Sequence, residues 1–130
     1  MQPFELESIL AGSASYRRDC AVLRITGEID VYTAPELRER VVHLIDGGTR
    51  HLIIDLSPVT FLDSTGLGAL VGSLKRLRTH GGSLKLVTST ERVMEIFRIT
   101  GLNRAFALYP SVEHAMSTDE HWQKAGSPHH

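Results

Sequence analysis

The fold is decided by an apolar run, His51-Leu52-Ile53-Ile54-Asp55-Leu56, and by the segment Asp63-Ser64-Thr65-Gly66-Leu67-Gly68 that follows it. The run shows no polar alternation, which is typical of a strand covered on both faces. The segment opens an amphipathic helix that ends at His80-Gly81-Gly82. A hydroxyl at such a strand-to-helix turn lies beside unpaired N–H groups and the positive end of the helix dipole. We therefore expect Ser64 either to be phosphorylated or to take part in catalysis.

Strand and helix patterns alternate along the rest of the chain. Cys20–Thr26 places apolar residues on two faces, as a strand does, and Gly27–Asp30 is predicted to be a connection. The other predicted elements are an edge strand at Phe4–Leu10, helices that start at the capping-box pairs Thr33/Glu36 and Thr88/Glu91, strands at Ser83–Thr88 and Phe106–Leu108, and a last helix after Ser111. This alternation predicts an α/β domain with a mainly parallel sheet and right-handed crossovers.

The composition is that of an ordinary globular protein, with 42% hydrophobic and 22% charged residues. The formal net charge is −1 and no basic run is present, so direct nucleic-acid binding is not expected. No segment approaches the roughly 18 apolar residues of a membrane span, and Met1–Gly12 shows no signal peptide. The single cysteine, Cys20, excludes an internal disulfide and favours a reducing compartment. We expect a cytoplasmic protein without membrane contact.

The helix that begins at Ser64 has an unusual second face. One side carries a leucine stripe, and the other carries small residues and one arginine: Thr65, Gly68, Ala69, Gly72, Ser73 and Arg76. Each glycine in a helix costs about 0.5–1 kcal/mol relative to alanine, so something should compensate. Either this face packs closely against a neighbouring element, or it is a flat platform for another protein. We favour the platform, because the leucine stripe already supplies packing within the domain.

Asp30 is predicted to lie close to Asp63 and Ser64. Loops that follow neighbouring parallel strands open on the same edge of the sheet, where α/β folds usually bind partners. It is equally possible from the sequence that Asp30 only satisfies backbone donors of its own loop.

Three blocks of sequence together resemble one family. They are Gly27-Glu28-Ile29-Asp30-Val31-Tyr32-Thr33-Ala34-Pro35-Glu36-Leu37, Phe61-Leu62-Asp63-Ser64-Thr65-Gly66-Leu67-Gly68 and Ile96-Phe97-Arg98-Ile99-Thr100-Gly101-Leu102. In this order they resemble the STAS-domain anti-sigma-factor antagonists of bacteria, and most of all the BldG-like members of actinobacteria. The resemblance covers about Ala21 to Met116.

The resemblance implies a four- to five-stranded, mixed and largely parallel sheet flanked by about four helices. The STAS domain would occupy residues 1–116. A polar tail at residues 117–130 is expected to be disordered, with His129-His130 as a remnant of cloning.

The resemblance also implies a function in transcription regulation, as part of a stress or developmental response. Family members bind an anti-sigma factor that is also a serine kinase, and this frees the sigma factor for RNA polymerase. The kinase phosphorylates the serine that matches Ser64 and so ends binding, and a metal-dependent serine/threonine phosphatase restores it. Thr65 is a less favoured second phosphorylation site, and Asp30 matches an aspartate of the partner-contact region. The predicted partner-binding residues are Asp30, Thr33, Asp63, Ser64, Thr65, Gly66, Gly68, Ala69, Gly72, Ser73 and Arg76. We expect a monomer or weak homodimer that needs no cofactor.

A competing hypothesis is that the chain is an enzyme. Ser64 with Asp55 or Asp63 would need a histidine to form a triad, and the candidates are His43, His51, His80 and His114. The nucleophile-elbow pattern is only half present, because Leu62 stands where a glycine is required. We therefore expect no enzymatic activity.

Two further hypotheses keep the fold and change the role. The chain could be a subunit of a larger sensory assembly or a nucleotide-sensing module, although it has no P-loop. Cys20 and the histidines lack the spacing of metal ligands, so no metal site is predicted. Cys20 is expected in the core rather than as a redox sensor.

Overall fold

Strands and helices alternate along the chain, as the apolar patterns predict. The computed structural model describes residues 3–9, 19–118 and Trp122. In chain order the elements are β1 (Glu5–Ile9), β2 (Cys20–Ile29), α1 (Ala34–Asp46), β3 (His51–Asp55), β4 (Val59–Leu62), α2 (Ser64–Thr79), β5 (Ser83–Val87), α3 (Glu91–Thr100), a short 3₁₀ helix (Leu102–Arg104), β6 (Ala107–Tyr109) and α4 (Val112–Ser117).

The strands form one mixed sheet in the order β1-β2-β3-β5-β6. β4 lies outside this order and pairs with β2. β1 is antiparallel to β2, and all the other pairs are parallel. The predicted fold class is therefore confirmed. The described residues contain six strands rather than four to five, since the sequence pattern does not mark β4 as a strand.

Helices cover both faces of the sheet, which agrees with the uninterrupted apolar run of β3. On one face α1, α2 and α3 pack against a large core that includes Leu23 and Ile54. On the other face α4 and Trp122 pack against a smaller cluster that includes Cys20, Val22 and Ile53. Cys20 is 1% exposed, so its predicted place in the core is confirmed.

β2 is longer than the sequence pattern predicts. The pattern indicates a connection at Gly27–Asp30, but the strand continues to Ile29. Gly27 has a φ of 96°, which only glycine adopts readily, and the register with β4 shifts between Gly27 and Glu28. The irregularity lets one strand pair first with β3 and then with β4.

Neither predicted capping box forms. Thr33 is the N-cap of α1, but its hydroxyl donates to the carbonyl of Glu28 at 2.9 Å instead of accepting from a helical N–H. α3 begins at Glu91 with Thr90 as its N-cap. Thr88 precedes this helix, because its N–H still bonds the neighbouring strand β6.

The start of the predicted tail is partly ordered. Ser117 is the last residue of α4, and Trp122 is 4% exposed in the smaller apolar cluster. At these two positions the structure differs from the disordered tail predicted from Ser117 onward, because an indole ring removes much apolar surface from water. Residues 119–121 and 123–130 lie outside the described residues.

Candidate functional site

Two connections lie side by side at the carboxyl ends of β2 and β4. The N–H of Asp63 donates to the carbonyl of Ile29 at 3.2 Å, which joins the turn before α2 to the end of β2. Gly66 allows the close approach of the two segments at this junction. A Cβ at its position would stand 2.7 Å from Ile29 Cγ2 and 2.6 Å from Leu62 Cδ1. The structure thus brings the Asp30 loop and the Ser64 turn together, as the parallel topology predicts.

Ser64 is the first residue of α2, and its side chain is exposed. Asp63 is the N-cap, and its carboxylate accepts from the N–H of Gly66 at 3.0 Å. Within the described part of the chain, the Ser64 hydroxyl has no hydrogen-bond partner, so it is accessible to an incoming reagent. Thr65 beside it is half-buried, which makes it the less accessible of the two hydroxyls.

Asp30 is half-buried and organises its own loop. Its Oδ1 accepts from the N–H of Tyr32 at 2.9 Å and from that of Thr33 at 3.1 Å. The N–H of Asp30 in turn donates to the Thr33 hydroxyl at 2.9 Å. The local role proposed for Asp30, that of satisfying backbone donors of its loop, is therefore present, and Thr33 shares it.

The small-residue face of α2 is divided between packing and exposure. Gly68, Gly72 and Arg76 are exposed, whereas Ala69 and Ser73 are 0% and 4% exposed.

α1 packs against α2 on the side opposite the leucine stripe. This contact explains why part of the small-residue face is buried and part is exposed. Ser73 donates its hydroxyl to the carbonyl of Ala69 at 2.8 Å, so neither residue presents a polar group outward. Gly66 is also buried, against Ile29 and Leu62. Close packing within the domain covers Gly66, Ala69 and Ser73, and the partner contact predicted for them stays a prediction.

Three large, exposed apolar side chains on the Asp30 loop and on β4 are absent from the predicted site residues. Val31 and Tyr32, in the Asp30 loop, are 57% and 87% exposed, and Phe61 on β4 is 45% exposed. In β4, Phe61 pairs with Glu28 of β2, two residues before Asp30. Where exposed apolar side chains form one contiguous patch, they are a common mark of an interaction surface. The signal in the sequence is the pair Val31-Tyr32, which interrupts an otherwise polar turn.

The histidines in the described ranges do not form a triad with Ser64. His51 is buried, and its Nδ1 lies 2.8 Å from the Ser83 hydroxyl. Both residues are the first of their strands, β3 and β5, whereas Ser64 follows the carboxyl end of β4. His80 bonds the carbonyl of Arg76 at 2.8 Å at the far end of α2. Across residues 19–118, no histidine forms a hydrogen bond with Ser64.

The carboxylates named for the triad have other partners. Asp55 accepts from Arg24 at 3.1 Å and from the Ser57 hydroxyl at 2.6 Å. Asp63 is occupied as the N-cap of α2.

Among the described helices, none is long and apolar enough to cross a membrane.

The chain is similar to known regulators of sigma factors. A family model described as the STAS domain matches residues 13–115. An anti-sigma-B factor antagonist of Bacillus subtilis is 51% identical over 80 residues, which are 62% of this chain and 72% of that protein. One from Staphylococcus aureus is 41% identical over 80 residues, 62% of this chain and 74% of that protein. The crystal structure of an anti-sigma factor antagonist from Mycobacterium paratuberculosis has a TM-score of 0.73 at 28% identity, covering 89% of this chain and 92% of that one.

Proposed function

Because the chain belongs to the STAS domain family, we propose that it acts as an anti-sigma-factor antagonist that binds an anti-sigma factor and so releases a sigma factor for transcription. The observation that carries this proposal is the exposed hydroxyl of Ser64 beside the Asp30 loop and an exposed apolar group. The protein would act in the cytoplasm, as a binding partner and not as an enzyme.

The contact face consists of the loop Asp30–Thr33, Phe61, and the exposed start of α2 at Ser64 and Gly68. At its centre Val31, Tyr32 and Phe61 offer apolar and aromatic area, and the carboxylates of Asp30 and Asp63 lie around them. Such an arrangement of aromatic anchors within a polar rim is typical of protein–protein interfaces. It is also suited to a protein partner rather than to a small molecule, since the side chains project outward.

Phosphorylation of Ser64 would switch this face off. The anti-sigma factor would also be a serine kinase: the Ser64 oxygen forms a bond to the γ-phosphorus of ATP, the hydroxyl proton leaves, and ADP departs. A serine/threonine phosphatase would reverse the change by hydrolysing the phosphoester with water to give inorganic phosphate. The phosphate adds about −1.5 to −2 charges at neutral pH.

The charge acts on the complex much more than on the free domain. In the free domain the Ser64 side chain is exposed, so an added phosphate remains in water. Within the complex, the same group would be pressed against a surface that fits a hydroxyl. An unpaired buried charge costs about 3–5 kcal/mol, which corresponds to a loss of affinity of roughly a hundredfold to a few thousandfold.

The experiment combines partner capture with quantitative binding. The unmodified chain is used to isolate its kinase from the native cytosol, and mass spectrometry identifies it. Calorimetry then compares wild type, Ser64→Ala and Ser64→Asp, with Ser117→Asp as a matched control on the opposite face of the sheet. We expect Ser64→Ala and Ser117→Asp to bind as wild type does, and Ser64→Asp to bind at least a hundredfold more weakly.

Phosphate incorporation provides a second measurement. Incubation of the captured kinase with ATP should place one phosphate on wild type and none on Ser64→Ala. The proposal fails if Ser64→Asp binds normally while Ser64→Ala does not bind. It also fails if the phosphorylated protein keeps its full affinity.

A further inference from the structure

The side chain of Arg38, on α1, crosses to the first turns of α2. Its guanidinium Nη2 lies 4.0 Å from the position that a Cβ on Gly68 would occupy. Gly68 follows Ser64 by four residues, so the two positions lie one above the other on the same face of the helix. This geometry places a cation within about one helical turn of the exposed serine.

Arg38 is exposed, and in the described ranges it has neither an ion pair nor a side-chain hydrogen bond. It also lines a groove of about 120 Å³ between α1 and α2, and Arg76 lines the same groove. Arg76 follows Ser64 by 12 residues, which is about 18 Å along a helix. Of these two arginines, only Arg38 can reach the start of α2.

A phosphate on Ser64 would otherwise stand among carboxylates. Asp63 precedes it directly and already occupies the N-cap position by accepting from Gly66. Asp30 lies in the loop joined to this turn through the bond between Asp63 and Ile29. A nearby cation would offset the repulsion between the phosphate and these carboxylates.

We propose that Arg38 pairs with the phosphate of phosphorylated Ser64 and so stabilises the inactive form within its own domain. The inference rests on the proposed function only in taking Ser64 as the modified residue. A guanidinium suits this role, because its planar fork donates two parallel hydrogen bonds to phosphate oxygens. The ion pair would also hold the phosphate over the contact face, where it blocks docking.

The test uses the full chain with phosphoserine installed at position 64 during translation, so no kinase is needed. A phosphorus NMR titration measures the second pKa of the phosphate, which is about 6 for unpaired phosphoserine. A neighbouring cation favours the dianion and lowers this pKa, so Arg38→Gln should raise it. The expected rise is about 0.2 to 0.7, the range for an exposed ion pair.

Two further variants separate a specific pair from general charge. Arg76→Gln removes the same charge from the far end of α2 and should leave the phosphate pKa unchanged. Arg38→Lys should keep most of the lowered pKa, since it retains the charge but not the bidentate geometry. Added salt should reduce the difference between wild type and Arg38→Gln.

An equal phosphate pKa in wild type and Arg38→Gln would overturn the proposal. So would an equal rise in Arg38→Gln and Arg76→Gln. Neither result depends on the anti-sigma factor, so failure of this ion pair is distinguishable from failure of the proposed function. Circular dichroism of each variant verifies that the fold is retained.

Discussion

Two glycines of α2 allow one substitution to be tested in opposite surroundings. A Cβ on Gly66 would stand 2.6 Å from Leu62 Cδ1 and 2.8 Å from the carbonyl oxygen of Ile29. A Cβ on Gly72 would meet nothing within 4 Å. Gly66→Ala and Gly72→Ala therefore differ mainly in the space available to one methyl group.

The magnitudes follow from this difference. Gly72→Ala should raise the free energy of unfolding by about 0.5–1 kcal/mol, because alanine loses less backbone entropy in a helix than glycine does. Gly66→Ala gains at most the same term, but it forces an extra methyl into a packed site, which costs about 1–3 kcal/mol. The cost should lie in the upper part of this range, because the backbone oxygen of Ile29 cannot turn away as a side chain can. We expect Gly66→Ala to be less stable than wild type by about 1–2 kcal/mol.

Urea denaturation followed by circular dichroism measures both effects. Equal slopes with urea concentration show that the variants unfold in the same way as wild type, and the midpoints then report stability. The gain from replacing glycine by alanine in a helix is the same for both variants. The difference between their free energies of unfolding therefore measures the steric cost at Gly66. If Gly66→Ala proved as stable as Gly72→Ala, the close packing of Gly66 against Ile29 could not be correct.

Three further predictions concern other parts of the fold. Asp63→Ala removes the carboxylate that accepts from the N–H of Gly66 and should cost about 0.5–2 kcal/mol of unfolding free energy, measured by urea denaturation; no loss would argue against this cap. Gly82→Ala should lower the thermal midpoint more than Gly66→Ala does, because its Cβ would overlap the carbonyl oxygen of Arg50 and the backbone would have to move; a smaller drop in a thermal scan would contradict it. Trp122→Ala should cost about 3–5 kcal/mol, as expected for a buried aromatic ring; wild-type stability in calorimetry would show that the ring does not support the smaller apolar cluster.

Much of the architecture could be predicted from hydrophobic periodicity. The alternating pattern in β2 and the uninterrupted apolar run in β3 both correspond to strands buried as expected. The leucine stripe of α2 faces the large core. These features depend on the burial of apolar side chains, which local sequence records directly.

The details that sequence missed depend on tertiary contacts. β4 carries only four residues, and it becomes a strand because the irregularity at Gly27 lets β2 extend to meet it. A helical wheel of α2 alone could not show that α1 covers Ala69 and Ser73. Hydrophobic periodicity predicts which residues are buried, but it does not predict which neighbouring element buries them.

The candidate site could be predicted in part. Ser64 at the start of α2 and the nearness of the Asp30 loop followed from the motif and the parallel topology. The exposure of Phe61 could not be derived, since a phenylalanine is usually assigned to a core, whereas Tyr32 lies in a turn whose polar composition indicates exposure. Their functional role stays a prediction, as do the roles of Ser64 and Asp30.

The hydrogen bond from Asp63 to Ile29 has a consequence for the kinetics of association. It joins both halves of the proposed contact face to the same strand end, so that face would be formed before a partner arrives. A preformed surface loses little conformational entropy on docking. Encounter should then proceed in one step at about 10⁵–10⁷ M⁻¹s⁻¹, the usual range for rigid partners. The lifetime of the complex, rather than its rate of formation, would carry the regulatory signal.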